Sequence, residues 1–378
     1  MRLSLPKRRT SENTTVKKKL LRLPLAVKII YIIAAVCALL YICFLLSEGF
    51  SDFFNRYVSS LLRAILAHLT NILPFSLAEL ALLLLPLWVV LLARLILKHY
   101  GDSARELLSG IVCIFSVIAI VFSIFTVGFA PAYRGSTLDK KLELERCDVS
   151  AEELYNTATE LIELLNTEVS NIAYAADGFS IMPYSRDEMN RKLIDAYDGI
   201  CEEYGFIQRL NSRLKPVMLS EAMSYTHITG VYTFFTGEAN INVAFPDYTI
   251  PYTAAHELSH QRGIARENEA NFMAFLVCAE SDDSYIRYCA YLNLYEYVAS
   301  ALGQADETLY AKAYAKLPAC VKSELAAYSD FYDKYRESTV SEVSETVNNT
   351  FLIIHGTEGT KSYGMVVDLA VAYFKADN

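Results

Sequence analysis

Long apolar stretches occupy the first third of the chain and predict that it enters a membrane. Three of them reach roughly the 20 residues that a helix needs to cross a bilayer, and within their apolar runs, residues 29–46, 72–93 and 107–133, Glu79 is the one charged residue. Three such stretches in succession argue against buried helices of a soluble core. The predicted transmembrane helices cover residues 29–47, 72–97 and 107–129. Because a carboxylate is costly in lipid, Glu79 is expected either to have a function or to lie at the membrane surface.

The segment between the first two predicted spans has a different pattern. Its apolar residues recur at helical spacing from Phe53 to Leu66. This pattern predicts an amphipathic helix lying at the membrane interface.

Beyond the third span, the pattern becomes that of a folded domain. Ser150 and Ser185 are each followed by glutamate three residues later, which predicts two capped helices near residues 150–167 and 185–204. Residues 231–235 and 239–245 are β-branched, aromatic or alternating, which indicates a hairpin. From Pro251 onward the pattern is helical. The predicted fold class is α+β, mostly α: three N-terminal transmembrane helices followed by a mainly helical domain with a small β-sheet.

The distribution of charge predicts how the chain is oriented. Nine basic residues and one acidic residue precede the first span, and short basic flanks favour the cytoplasm. We therefore expect residues 1–28 to be a basic cytoplasmic segment, 29–133 a membrane region, and 134–378 an extracytoplasmic domain. The protein would then be a multi-pass protein of the cytoplasmic membrane.

Residues 130–378 contain 20 Lys and Arg against 37 Asp and Glu. This acidic balance argues against nucleic-acid binding, which requires basic patches. The eight cysteines have no metal-binding or redox spacing, so buried free thiols are expected.

The sequence His256-Glu257-Leu258-Ser259-His260 is the main indication of chemistry. Residues four apart share one face of a helix, so the two imidazoles can converge on a zinc ion. The neighbouring Glu257 would act as general base towards a water that zinc activates. Gly263 would end the helix and let a second helix return towards the metal.

The returning segment offers two carboxylates as a third ligand, Glu267 and Glu269. They differ by about 200° around a helix, so one regular helix cannot present both to the metal. We favour Glu267, because Asn271 lies four residues later on the same face and could support a ligand by hydrogen bonding. Glu269 stays open as the alternative.

The segment Glu267-Asn268-Glu269-Ala270-Asn271 resembles the second zinc helix of gluzincins, where Asp or Asn follows a Glu ligand by four residues. The whole chain resembles an uncharacterised bacterial membrane family, the domain-of-unknown-function family numbered 3810. That resemblance is carried by the three apolar stretches and by the segments at 235–240, 256–263 and 362–364. It implies a zincin-like extracytoplasmic domain, but no substrate. The gap between His260 and Glu267 is shorter than in thermolysin-like enzymes.

Other candidate residues are less specific. Tyr363 could stabilise the oxyanion of a tetrahedral intermediate, as could His227 or His355. Asn240 and Asn242 alternate along the presumed edge strand, so we expect residues 239–245 to bind extended substrate as an added strand.

Together these features predict a membrane-anchored zinc metallopeptidase with Zn as cofactor and an extracytoplasmic protein or peptide as substrate. The alternative is a non-catalytic membrane protein with a zincin-derived sensing or scaffold domain. Glu257 favours catalysis, because a structural zinc site has four protein ligands and no use for a base.

Overall fold

The computed structural model describes residues 23–99, 104–336, 339–355, 357 and 365–376. Within them the protein is mostly helical with one small sheet, as the sequence predicts. The helices that precede residue 134 are α1 (Leu25–Leu46), α2 (Glu48–Phe54), α3 (Ser60–Asn71), α4 (Leu77–Leu83), α5 (Leu85–His99), α6 (Ala104–Gly128) and α7 (Ala130–Arg134). A π-helical turn (Asn55–Ser59) joins α2 to α3.

The remaining helices form the domain that follows. They are α8 (Leu138–Lys141), α9 (Ala151–Glu168), α10 (Arg186–Glu203), α11 (Ser220–Ser224), α12 (Thr249–Gln261), α13 (Glu267–Ala279), α14 (Ser284–Ala305), α15 (Glu307–Lys316), α16 (Ala319–Asp333), α17 (Thr339–Ile354) and α18 (Val366–Ala376). The strands are β1 (Lys215–Pro216), β2 (Gly230–Thr233) and β3 (Glu238–Ile241).

Two of these helices are long and apolar enough to cross a membrane, not the three that the sequence predicts. They are α1 and the Leu107–Gly128 part of α6, which pack against each other. The second predicted span, residues 72–97, is not one straight helix. It corresponds to α4 and α5, a pair bent by 51° that would make a third span if it counts as one.

The bend in this pair has a local cause. Pro86 lies one residue into α5, and its nitrogen has no hydrogen to donate to the carbonyl of Leu82. The helix also starts later than predicted, because the Ser76 side chain accepts the amide hydrogen of Glu79 and caps α4. The predicted straight span is therefore replaced by two shorter helices.

The segment predicted as an amphipathic helix is helical, and its two faces differ: Phe53, Tyr57, Leu61 and Ile65 are exposed, whereas the opposite face packs against the protein. Arg63, on α3, is 2% exposed and donates to the carbonyl of Gly128 at 2.9 Å and to the Asn55 side chain at 2.8 Å. Asn55 in turn donates to the carbonyl of Gly263, two residues beyond the end of α12. This segment therefore connects the end of α6 to the end of the helix that carries the histidines.

Two buried carboxylates cap helices across the junction between the apolar helices and the domain. Glu79, on α4, accepts the amide hydrogens of Met218 and Leu219 ahead of α11 at 2.9 and 2.8 Å. Glu238, on β3, accepts those of Leu77 and Ala78 at the start of α4, both at 3.0 Å. A carboxylate at a helix N-terminus satisfies amides that have no partner within the helix. The Glu79 carboxylate thus acts as a structural cap at the edge of the apolar region.

The sheet has the order β1-β3-β2, with β1 parallel and β2 antiparallel to β3. The predicted hairpin is confirmed, with shorter strands. Helix α12 packs against β2 and β3 on one side and against α13 and α14 on the other. All thirteen residues of α12 are buried, so the motif lies in the core rather than on an amphipathic surface helix.

Candidate metal centre

The geometry of the centre starts from the turn that separates α12 from α13. Gly263 has a φ of +93°, a conformation that glycine adopts without steric cost. A Cβ at this position would also lie 2.5 Å from the Arg63 guanidinium. The reversal lets α13 begin at Glu267, so the first residue of that helix returns to the face that carries the histidines.

Three side chains converge at this point. The Glu267 Oε2 atom lies 3.1 Å from His256 Nε2 and 3.5 Å from His260 Nε2. One ligand atom from each residue lies within 4.8 Å of the others, and all three residues are buried. Two imidazole nitrogens and a carboxylate oxygen are a donor set suited to zinc.

The ring nitrogen of His260 that faces away from the cluster, Nδ1, already has a hydrogen-bond partner. The Nδ1–H of His260 donates to the carbonyl of Ile264 at 2.7 Å, which leaves the Nε2 lone pair directed at the cluster. In contrast, His256 Nδ1 is buried and finds no hydrogen-bond partner among the described residues.

Without a metal, these residues behave as a buried ion pair. Burial disfavours the charged form of His260, but the adjacent Glu267 carboxylate outweighs it and raises the His260 pKa to about 9. Burial acts against the Glu267 carboxylate as well, yet the neighbouring His260 and His256 hold its pKa well below the usual range. A carboxylate held ionised beside two imidazoles suits a divalent cation, which would take the place of the proton.

Glu257 lies next to the cluster and not within it. Burial raises its pKa to about 7, even though both histidines act in the opposite direction. The backbone N–H of Tyr232 donates to the carboxylate, and Oε2 has no partner among the described residues. A buried carboxylate with a free oxygen and a pKa near neutrality has the properties of a general base.

Gly230 on β2 creates the space that Glu257 occupies. A Cβ at position 230 would lie 2.5 Å from Oε1 and 2.7 Å from Cγ of Glu257. The sequence analysis did not identify Gly230, because its importance comes from a contact between residues 27 positions apart.

Replacing Gly230 with alanine should therefore displace the Glu257 carboxylate and leave the three converging side chains in place. A misplacement of about 1 Å in a catalytic group can lower the rate roughly 10²-fold, so a loss of that order is expected with zinc content unchanged. Steady-state kinetics and metal analysis measure both. Gly205→Ala is the matched control, because no atom lies within 4 Å of its added Cβ. Equal activity in the two variants would contradict this role of Gly230.

Glu269, the alternative ligand, faces away from the histidines. Its Oε1 accepts the amide hydrogen of Leu138 at 3.0 Å and pairs with Arg266 at 2.9 Å. Arg266 also donates to the carbonyls of Tyr133 and Gly135. Glu269 thus attaches α13 to the chain that leaves α6.

The cluster lies at the bottom of a cleft of about 920 Å³. Its walls include β2, α14, α17 and the chain just beyond α6, and they contain polar groups absent from the sequence prediction: Tyr133, Asn293, Glu296 and Tyr297. Tyr133 is buried, which raises its pKa well above the usual range, and Glu267 adds to that shift. The many tyrosines of the chain offered no local signal that would have singled out these two.

The other candidate residues are found in varied surroundings. Asn271 lines the cleft and donates to the Tyr297 hydroxyl at 3.4 Å, so it supports the wall of the cleft. His227 also lines it, with Nε2 bound to the carbonyl of Tyr335. His355 packs against Phe125 at the end of α17. Tyr363 lies outside the described residues.

The prediction of a substrate strand at 239–245 is wrong. β3 is the central strand, paired on both sides, so it has no free edge. Asn240 and Asn242 are 2% and 0% exposed. The Asn240 amide donates to the carbonyl of Val231 and that of Asn242 to the carbonyl of Ile228. Their alternation reflects buried amides that satisfy neighbouring backbone groups, and the sheet edge that borders the cleft is β2.

A family model described as "Protein of unknown function (DUF3810)" matches residues 50–371 of the chain. The match begins in α2 and ends in α18, so it includes the bent pair, α6 and the whole centre. No curated protein and no solved structure matches the chain.

Proposed function

We propose that the chain, which belongs to the DUF3810 family, is a membrane-anchored zinc-dependent hydrolase that acts on protein or peptide. The observation that carries this proposal is the convergence of His256, His260 and Glu267 beside the buried base Glu257. Their convergence depends on three separate parts of the fold: the α12 face, the Gly263 turn and the start of α13.

The residues present fit a catalytic zinc site better than a structural one. The described part of the chain offers three side chains that would hold the metal, and all three line a large cleft that would admit water or substrate. A structural site would instead be closed by a fourth protein ligand. When bound, zinc would lower the pKa of water towards 7 and polarise a carbonyl group.

Individual residues of the cleft would have separate roles in the reaction. His260 is held in one tautomer by Ile264, so its Nε2 stays available as a ligand. The Glu257 Oε2 atom is buried and has no hydrogen-bond partner among the described residues, so it would accept the proton of the attacking water. Tyr133 and Tyr297 line the same cleft, and their hydroxyls are the candidate donors to the developing oxyanion.

Metal analysis of the purified full-length protein, combined with cleavage of a broad peptide library, tests this proposal. We expect about one equivalent of zinc per chain, the stoichiometry of a single catalytic site. Cleavage should stop with a chelator and return with zinc. Stoichiometric zinc without cleavage of any library member would favour the non-catalytic alternative.

The proposal also includes the side of the membrane on which the domain lies. The basic excess before α1 favours a cytoplasmic N-terminus, and three crossings, by α1, by α4 and α5 taken as one span, and by α6, then place the domain outside the cytoplasm. Protease added to intact spheroplasts should then digest the domain. Digestion that requires lysis would place the domain, and its substrates, in the cytoplasm.

A further inference from the structure

Helix α17 forms one wall of the metal cleft and has two different faces. Its polar face includes Ser344 and Glu345, which line the cleft. Val343, Val347 and Ile354 lie on another side and are 61%, 64% and 66% exposed. Their spacing, with Phe351 between the last two, places them in one stripe along the helix.

The apolar stripe leads directly to a helix that can cross the membrane. The Phe351 ring lies 6.4 Å from the ring of Phe125, and the His355 ring lies 4.7 Å from it. Phe125 is three residues from the end of α6. The C-terminal end of α17 is therefore level with the end of that apolar helix, where the bilayer surface would lie.

We infer that α17 lies in the bilayer interface, with its apolar stripe in lipid and its polar face over the metal cleft. An amphipathic helix takes this position when one face is apolar enough to enter the boundary between headgroups and acyl chains. Between Thr339 and Ile354 the helix has two acidic residues and no basic ones. Apolar burial rather than attraction to anionic lipid therefore drives the contact, so it should be insensitive to salt.

This position determines what reaches the centre. The cleft is lined by residues of α17 and by Phe129 and Tyr133, which follow α6, so with α17 in the interface the cleft lies next to the bilayer surface. Given the proposed hydrolase function, this position also indicates the substrate class. The substrate is a polypeptide that is attached to the membrane close to the bond that is cleaved. Such a chain is delivered at high effective concentration, whereas a free peptide is not.

The single tryptophan of the chain, Trp88, makes the lipid contact measurable. In a Trp88→Phe background, the full-length protein carries Val347→Trp and is reconstituted into phosphatidylcholine vesicles with or without brominated acyl chains. Roughly half the emission should be lost in brominated lipid, because an interfacial helix inserts about 5–10 Å. Thr346→Trp is the matched control, since Thr346 is exposed but about 100° away around the helix. It should be quenched far less.

Three outcomes would overturn the inference. Equal quenching of the two variants would show no oriented insertion. Quenching that disappears in high salt would show a contact held by charge. An unquenched Val347→Trp in a protein that is dimeric by size would show that a second copy covers the stripe. None of these measurements depends on catalysis, so they stand or fall separately from the hydrolase proposal.

The substrate class needs its own measurement. A Val343→Ser, Val347→Ser double variant is compared with the parent on one unfolded model peptide, either free or coupled to a phospholipid headgroup. Cleavage of the coupled peptide should fall several-fold, while cleavage of the free peptide stays unchanged, because neither valine lines the cleft. An equal loss on both forms, or no loss on either, would contradict the assignment of membrane-attached substrates.

Discussion

Replacing Glu257 with glutamine is expected to abolish hydrolysis while leaving zinc binding intact. Glutamine keeps the size of the side chain and can still accept the amide hydrogen of Tyr232. It cannot accept the proton of the attacking water at neutral pH. Since a positioned general base contributes typically about 10²–10⁴-fold, a loss of that order in kcat is expected.

The measurement is kcat in protein with verified zinc content. Glu296→Gln is a demanding control, because Glu296 is another carboxyl group in the lining of the same cleft, with a pKa raised by burial to about 8. It is bonded to the Tyr248 hydroxyl and is not part of the converging cluster. A general-base role for Glu257 predicts a much larger effect at 257 than at 296. Unchanged turnover in Glu257→Gln would refute that role.

Removing the Glu267 carboxylate should abolish tight zinc binding, whereas removing that of Glu269 should not. Glu267 Oε2 lies within 3.5 Å of the Nε2 atoms of both histidines, so Glu267→Ala leaves two ligands. Loss of even an outer group costs on the order of 10–100-fold in metal affinity, and loss of a ligand should cost at least as much. His256→Ala should lose zinc in the same way.

Glu269→Ala serves as the matched comparison, because Glu269 is a buried carboxylate two residues along the same helix. It removes the partner of the Leu138 amide and of Arg266, so we expect lower thermal stability with zinc affinity retained. Competition with a chromogenic chelator gives the affinities, and thermal unfolding in detergent gives the stabilities. Weaker zinc binding in the position-269 variant, with normal binding in the position-267 variant, would reverse the ligand assignment.

Local patterns predicted the parts of the site that depend on one helix at a time. The four-residue spacing of His256 and His260 places both on one face of α12, whatever that helix packs against. The capped start of α9 at Ser150 was predictable for the same reason, because its bonds join residues three apart. The preference for Glu267 over Glu269 also came from helix periodicity, and Glu267 is the one that lies beside the histidines.

Patterns that have two physical meanings misled the prediction. Alternating asparagines suit a solvent-facing strand and also suit buried amides that bond to neighbouring carbonyls, and only the pairing of β3 on both sides decides between them. A run of apolar residues suits a straight span and also suits two shorter helices, and Pro86 near the start of α5 favours the 51° bend that separates α4 from α5.

The sequence by itself determined which residues share a helix face, where helices are capped, and which stretches are too apolar for water. These properties depend on the backbone period and on neighbours within four residues. Tertiary structure alone decided that Gly230 makes room for Glu257, that Arg63 and Asn55 hold the Gly263 turn, and that Glu79 caps a segment 139 residues away. Each of these is a contact between distant segments, and the energy that selects it comes from burial and hydrogen bonding that exist only once those segments have packed together.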